Sequence, residues 1–338
     1  MFMNIWSELK KPILCLAPME GVTDVIFRQV VASASRPDLF FTEFTNVSSF
    51  ASEKGRHDAL SRLKIAPSDP PIIAQIWGKN PEHFSELSGN LKSLGFSGID
   101  LNFGCPDRHV NRAGGGAAMI KTPDLAVECI RRAKASANGL PVSVKTRLGF
   151  SFIDEWKPWL STILAESPSA LTVHLRTRKE MSKVPAHFEL IPDLLALRDE
   201  LSPETKLLIN GDIKSRAEAL RLHEDFPRLD GFMIGRGVFL NPYCFKKTEN
   251  NSPYSPSKSE LISLLQTHLN LFDKENAERL EEGNRPLSFE PLKHYFKIYI
   301  KDFPGASELR AEMMNAHSTS EIRKILEKSP FINKSEEP

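Results

Sequence analysis

The chain has 338 residues, 41% hydrophobic and 26% charged, which supplies a full apolar core and excludes wholesale disorder. Its 44 lysines and arginines nearly balance 43 aspartates and glutamates; a formal net charge of +1 excludes capture of an extended polyanion by overall charge and leaves local basic patches. The four cysteines, Cys15, Cys105, Cys129 and Cys244, form no metal-binding spacing, so no metal is expected, and scattered free thiols fit the cytoplasm.

Lys10 and Lys11 precede the apolar run 13–17, which is too short for a membrane span and is closed by Pro18. It reads as a first core strand, and no membrane association is expected. Further β-rich runs follow at 39–44, 72–77, 98–103, 142–148, 170–176, 206–210 and 231–235. Amphipathic segments such as 81–95, 124–137 and 215–225 lie between them. Eight strands alternating with helices predict parallel strands joined by crossover helices, an α/β fold of the (β/α)8 TIM-barrel type. A doubly wound open sheet is disfavoured because no G-x-G-x-x-G follows the first strand.

The composition shifts at 246–258, KKTENNSPYSPSK, where prolines, asparagines and serines mark a linker. The predicted organisation is a barrel over 1–247, a linker over 248–258 and a small all-helical domain over 259–338 with a frayed tail after Phe331. In that domain Ser318 and Glu321 have capping-box spacing. Leu292, Tyr295, Phe296 and Tyr299 fall on one helical face, and Lys293, Lys297 and Lys301, spaced by four, fall roughly opposite as a basic stripe.

A barrel of this kind builds its active site where the C-terminal ends of the strands converge. Polar residues collect at those ends: Pro18, Met19 and Glu20 after the first strand, Gln75 on the third, Asn102 and Cys105 on the fourth, Lys145 and Arg147 on the fifth. His174 and Arg176 end the sixth, Asn210, Gly211 and Asp212 the seventh, Gly235, Arg236 and Gly237 the eighth. The glycines of the last two ends suit tight βα turns, and equally a phosphate bound by backbone N–H groups with Arg236 as its counter-charge. Lys145 and His174, with Gln75, are placed either for structural hydrogen bonds or to line the polar edge of a heterocycle. A cysteine near a core strand is ordinarily an inert small hydrophobe. Cys105 is different in sitting at a strand tip within Asn102-Phe103-Gly104-Cys105-Pro106, where a protonated thiol is available as a general acid. Arg108 and His109, close in sequence, are expected to lower its pKa modestly.

Taken in order, these segments resemble the dihydrouridine synthase family of flavin-dependent RNA-modifying enzymes. The resemblance is carried by Ala17-Pro18-Met19-Glu20-Gly21-Val22-Thr23-Asp24, Asn102-Phe103-Gly104-Cys105-Pro106, Gly114-Gly115-Gly116-Ala117-Ala118-Met119, Val144-Lys145-Thr146-Arg147-Leu148-Gly149, Asn210-Gly211-Asp212 and Ile234-Gly235-Arg236-Gly237. It continues more loosely through Phe303-Pro304-Gly305-Ala306 with Leu309-Arg310. It implies FMN at the barrel mouth, NADPH as reductant, hydride delivery to C6 of a flipped-out uracil and protonation of C5 by Cys105. It further implies Pro18, Met19, Gln75, Lys145, His174, Asn210, Gly211, Asp212, Gly235 and Arg236 as flavin contacts, and Asn102 and Arg176 as contacts to the uracil or its phosphate. Arg178, in the basic loop from His174 to Lys183, and the lysines 293, 297 and 301 are then expected to meet tRNA or another structured RNA, with the protein acting as a monomer.

The chain departs from the family at Leu175, where glycine usually follows the histidine, and over 181–187. The departures bear on which RNA is the substrate, and they admit the same chemistry on ribosomal RNA. The residues also leave open a flavin barrel reducing a small pyrimidine-like molecule, an RNA-binding protein on an inactive barrel, and an aldolase or isomerase using Lys145 as a Schiff base.

Overall fold

The computed structural model describes residues 4–67 and 69–333. The chain divides into two compact units, one of Met1–Val25 and Pro37–Gly235, the other of Ile26–Arg36 and Arg236–Pro338.

The first unit is a parallel barrel. Its strands are β1 (Ile13–Leu16), β2 (Phe40–Phe41), β3 (Thr45–Asn46), β4 (Ile72–Trp77), β5 (Gly98–Phe103), β6 (Val142–Arg147), β7 (Ala170–His174), β8 (Lys206–Asn210) and β9 (Gly231–Ile234). They pair in the order β1-β9-β8-β7-β6-β5-β4-β2, with β3 also on β4. A bridge from Cys15 to Leu39 and a hydrogen bond from Leu16 N to Leu39 O (3.3 Å) bring the first and second strands together. The strands are buried over most of their length because helices cover the outside and side chains fill the inside. These are the eight expected runs with one difference. The run 39–44 stops as a strand after Phe41, because Thr42 spends its side chain on the ladder: its Oγ1 accepts from Gln75 N at 3.0 Å. The chain then turns and rejoins β4 as β3.

Helices follow the strands where amphipathic periodicity placed them, including Pro81–Leu91, Pro123–Ser136 and Arg216–Asp225. Pro81–Leu91 starts cleanly: Asn80 caps it by accepting from Glu82 N at 3.0 Å, and Pro81 gives up only an N–H that the first turn leaves orphaned. The short helix Ile5–Glu8 supplies Trp6, 1% exposed, to the core cluster of Ile13, Phe41, Ile73, Ala170 and Leu208. Burying a side chain of this size stabilises by about 1.5–3 kcal/mol.

The second unit is helical. The helix Lys258–Glu281 opens with a reciprocal cap between Ser257 and Glu260. Ser318 Oγ accepts from Glu321 N at 3.2 Å as its spacing predicts, although the Glu321 carboxylate reaches back to His317 N (2.8 Å). Leu292, Tyr295, Phe296 and Tyr299 are all buried. Phe27, from the segment after β1, packs against Tyr295 with ring centroids 4.8 Å apart, which builds an early piece of chain into this unit. The segment 248–257 has no helix or strand, but it is tied down: Tyr254 donates to Glu260 Oε1 (2.6 Å) and its carbonyl accepts from Asn241 Nδ2 (2.6 Å). Pro330–Asn333 forms a last short helix; the tail beyond it lies outside the described residues.

The lysine stripe needs correction. Residues 290–299 form a 3-10 helix (Glu290–Tyr295) followed by a single α-turn (Phe296–Tyr299), so a spacing of four no longer keeps one face. The Lys293 side chain is 6% exposed and paired with Glu290 at 2.8 Å. Lys301 is half-buried, with its ammonium on the carbonyl of Leu240, and Lys297 alone is exposed. Among the described residues no helix is long and apolar enough to cross a membrane.

Candidate active site

The barrel's register assembles the polar strand ends. Gln75 lies beside Asp100, Asn102 beside Lys145, Arg147 beside His174, and His174 beside Asn210. Side chains of one strand face the same side at every second residue, so Asp100 and Asn102 share a face of β5, as Lys145 and Arg147 do on β6.

At the end of β5 the chain turns around Asn102. Its Oδ1 accepts from the backbone N of Gly104 (3.1 Å) and of Cys105 (2.9 Å), an Asx-turn that fixes the departing loop. The Cys105 carbonyl accepts from Ala117 N (3.0 Å) and Asn111 Nδ2 (2.8 Å). Gly116, at φ +58°, closes this loop; a Cβ there would stand 2.9 Å from the Cys105 carbonyl and 2.8 Å from Val110. Cys105 is thus held by its backbone on both sides while its side chain stays partly exposed.

Below it runs a chain of amides. Asn102 Nδ2 donates to Gln75 Oε1 (2.9 Å), and Gln75 Nε2 donates to Asp100 Oδ2 (2.7 Å). Ser143 Oγ donates to the other Asp100 oxygen at 2.6 Å. Asp100 is fully buried, and desolvation raises its pKa to about 6 against the pull of these hydrogen bonds and of Lys145. Sequence reasoning passed over Asp100 as part of an apolar run. The available signal was a carboxylate two residues before Asn102, on the same face of a strand with no solvent face.

Burial pushes the Cys105 thiol above its ordinary pKa, as does the Asp107 carboxylate; the Asp107 backbone hydrogen bond and the charges of Arg147 and Lys145 oppose the shift. The expectation that Arg108 and His109 would lower it fails: both are exposed on the helix Arg108–Arg112, neither is among the main influences on the thiol, and the shift is upward. Arg147 does act: it is buried, donates from Nε to Gly104 O (2.8 Å), and desolvation lowers its pKa to about 10. Lys145 is lowered to about 8 by burial and by Arg147. Its ammonium has no hydrogen-bond partner among the described residues, so its N–H groups remain as donors for a bound molecule. The other three cysteines are buried, with thiols pushed further up by burial, Cys129 to about 12.

After β7, Arg176 is not turned outward to a substrate, contrary to the expectation for it. Its side chain is 2% exposed, donates from Nε to Val184 O (2.6 Å), lies 3.2 Å from His174 Nε2 and pairs with Asp212. Asp212, at φ +50°, also accepts from Ala186 N at 2.9 Å. Arg176 and Asp212 therefore brace the loop 177–187 over the β7 end. Asn102 is likewise buried and mostly engaged by its own loop and Gln75. Asn210 donates to Met233 O (2.8 Å), and Gly211, at φ +119°, lets the chain pass His174, which a Cβ would meet at 3.2 Å.

Around the first and last strands the rim is open. The turn Met19–Thr23 is set by Thr23 Oγ1, which accepts from Met19 N (2.9 Å), and by buried Glu43, which accepts from Gly21 N at 2.6 Å. Glu43 is a second residue that sequence reasoning missed. A Cβ on Gly235 would meet only Ala17 at 3.5 Å and Met19 Sδ at 3.8 Å. Pro18 and Met19 are half-buried here. Arg236 opens the helical unit, next in chain to Gly235, and the lysines 293, 297 and 301 lie in that unit. Arg178 is half-buried, its guanidinium 5.3 Å from the Phe150 ring centroid. An unpartnered ammonium, an uncrowded glycine edge and a partly exposed thiol at the strand ends suit a flat, polar-edged cofactor. Among the described residues no group of three His, Cys, Asp or Glu is arranged to hold a metal ion.

A family model described as dihydrouridine synthase (Dus) matches residues 15–335. The chain belongs to the dihydrouridine synthase family. Curated relatives include the probable tRNA-dihydrouridine synthase 2 of Bacillus subtilis (strain 168), 49% identical over 324 residues that cover 96% of each chain. The probable tRNA-dihydrouridine synthase of Staphylococcus aureus (strain COL) is also 49% identical, over 96% of this chain and 95% of that one. Among solved structures, morphinone reductase in complex with tetrahydroNAD aligns over 73% of this chain and 89% of its own with a TM-score of 0.50 at 12% identity, a likeness of fold alone. For a dihydrouridine synthase the (β/α)8 barrel expected from strand count is the architecture found.

Proposed function

We propose that the chain reduces the C5–C6 double bond of uridine in tRNA to 5,6-dihydrouridine, with Cys105 supplying the proton to C5. As a member of the dihydrouridine synthase family it is an oxidoreductase acting on uridine. The observation that carries the residue assignment is the placement of Cys105, a partly exposed thiol pinned just past a strand end by Asn102, with Lys145 and Arg147 among its charged neighbours. Bound FMN, re-reduced by NADPH, would supply the hydride for C6. Pro18, Met19, Gln75, Lys145, His174, Asn210, Gly211, Asp212, Gly235 and Arg236 would hold the flavin, with Lys145 offering its free ammonium to the polar edge.

The chain's own groups then have defined tasks. The Cys105 Sγ–H gives its proton to C5 and is left as a thiolate, which the positive charges of Arg147 and Lys145 stabilise until solvent returns a proton. Asn102 keeps the sulphur in register through the backbone N–H groups it binds. A stacked uridine must first be extruded, at a cost of a few kcal/mol, which groups around the mouth offset by binding RNA. Arg178, Lys179 and Lys183 are the basic residues of the block after β7 left for that, and Arg176 contributes by holding the loop. The four cysteines are all free, which supports a cytoplasmic setting.

The test is Cys105→Ala in the FMN-loaded protein. It should keep the yellow colour and RNA affinity yet slow single-turnover dihydrouridine formation by roughly 10²–10⁴-fold, the scale of a lost general acid. A rate near that of the unaltered protein would refute the role.

A further inference from the structure

We propose that the loops after β6 and β7 form an RNA-docking surface on which an unstacked nucleotide of the substrate lies against Phe152 while its flanking phosphates meet Lys121, Arg178 and Lys179. The proposal rests on the RNA reading above and adds to it an aromatic platform from a different loop.

Phe152 is 62% exposed, the most exposed large hydrophobic side chain among the described residues, and Ile153 (37%) and Met181 (42%) stand out of the same two loops. Water disfavours such a cluster, so it marks a contact surface when the backbone holds it open. Here the backbone does. The Glu155 carboxylate accepts from the backbone N of Phe150 (2.5 Å), Ser151 (3.2 Å) and Phe152 (3.2 Å), which fixes the loop that carries both rings. Gly149 allows that tight path: a Cβ there would meet the Phe152 carbonyl at 2.5 Å. The second loop is stitched to the first by Arg178 N to Gly149 O (2.8 Å) and Lys179 N to Phe150 O (2.9 Å).

Cations flank the rings. Lys121 Nζ lies 3.7 Å from the Phe150 ring centroid, Arg178 Cζ 5.3 Å from the same ring, and Lys179 Nζ 5.4 Å from that of Phe152. Lys121 ends the 3-10 helix Gly116–Lys121, whose first residue packs on Cys105, so the surface borders the site. Arg178 Nε makes no hydrogen bond within the protein, so its guanidinium is not drawn off by a carboxylate of these loops. The acidic side chains of these loops do not cancel the charge. Glu155 is spent on backbone N–H groups, and Glu180 on Thr177 N (2.7 Å) and His187 (3.0 Å). Asp154 alone is left without a hydrogen bond there among the described residues. Fixed aromatics interleaved with lysine and arginine match a nucleotide chain, in which every base has a π-face and every linkage a negative charge.

The test is binding of the full, FMN-loaded chain to an unmodified tRNA transcript, measured by filter retention across a salt series. Phe152→Ala should weaken binding by roughly 5- to 100-fold, the range of one base–aromatic stack, and leave the salt slope unchanged. Phe152→Trp should bind like the unaltered protein. Lys121→Ala and Lys179→Ala should each lower the salt slope by about one phosphate contact. If all three alanine variants bind as the unaltered chain does while that chain still forms dihydrouridine, the surface is refuted and the activity stands. If the unaltered chain neither binds nor reduces the transcript, both fall.

Discussion

At Cys105 burial and charge pull one proton in opposite directions, and burial prevails. The thiol pKa is raised, so the protonated form that a general acid needs dominates through neutrality and is lost only at alkaline pH. Single-turnover reduction is therefore expected to be flat across neutral pH and to fall only above the ordinary thiol range, and alkylation of Cys105 to be slow at pH 7 and faster in base. An alkylation rate already at its plateau at pH 7 would contradict this. The cysteine was legible because Asn102 and Pro106 frame it in the sequence. Its electrostatics were not: nearness in sequence pointed to Arg108 and His109, whereas the local residue that acts is Asp107, and the cations that act, Arg147 and Lys145, arrive from the adjoining strand. Arg176 misled for the same reason. Its position predicted a substrate contact, and only the folded loop reveals Asp212 and the Val184 carbonyl as its partners.

Among the elements, the barrel strands were readable because apolar runs bounded by turns leave few other assignments. The failures came where a side chain or a local twist interrupts a regular period. Thr42 ends β2 early, and the 3-10 turn at Glu290–Tyr295 breaks the face on which the three lysines were placed. The loop from Cys105 to Gly116 is the element on which the chemistry leans hardest. Gly116→Ala combines a positive φ with contacts of 2.8 Å to Val110 and 2.9 Å to the Cys105 carbonyl. It should destabilise the protein by about 1–3 kcal/mol and slow turnover more than it weakens RNA binding. Calorimetry beside single-turnover kinetics measures both, and an unaltered melting temperature with normal turnover would show that this loop tolerates a side chain.

For the whole molecule, composition suggested a barrel followed by a helical piece, a division read along the chain. The structure divides it differently. Ile26–Arg36 belongs with the later helices, where Phe27 meets Tyr295, His268 and Phe239. No pattern in the sequence announces that, because an amphipathic helix after a first strand looks the same whichever core receives its apolar side. A cut after the barrel strands would consequently strip Phe27 of its neighbours, so the activity belongs to the intact chain. The most direct measurement supplies that chain with FMN, NADPH and unmodified tRNA transcripts, then digests the RNA and weighs its nucleosides. A yellow protein and a uridine heavier by two hydrogens are expected. A colourless protein that takes up no FMN and leaves every uridine unreduced would overturn the assignment.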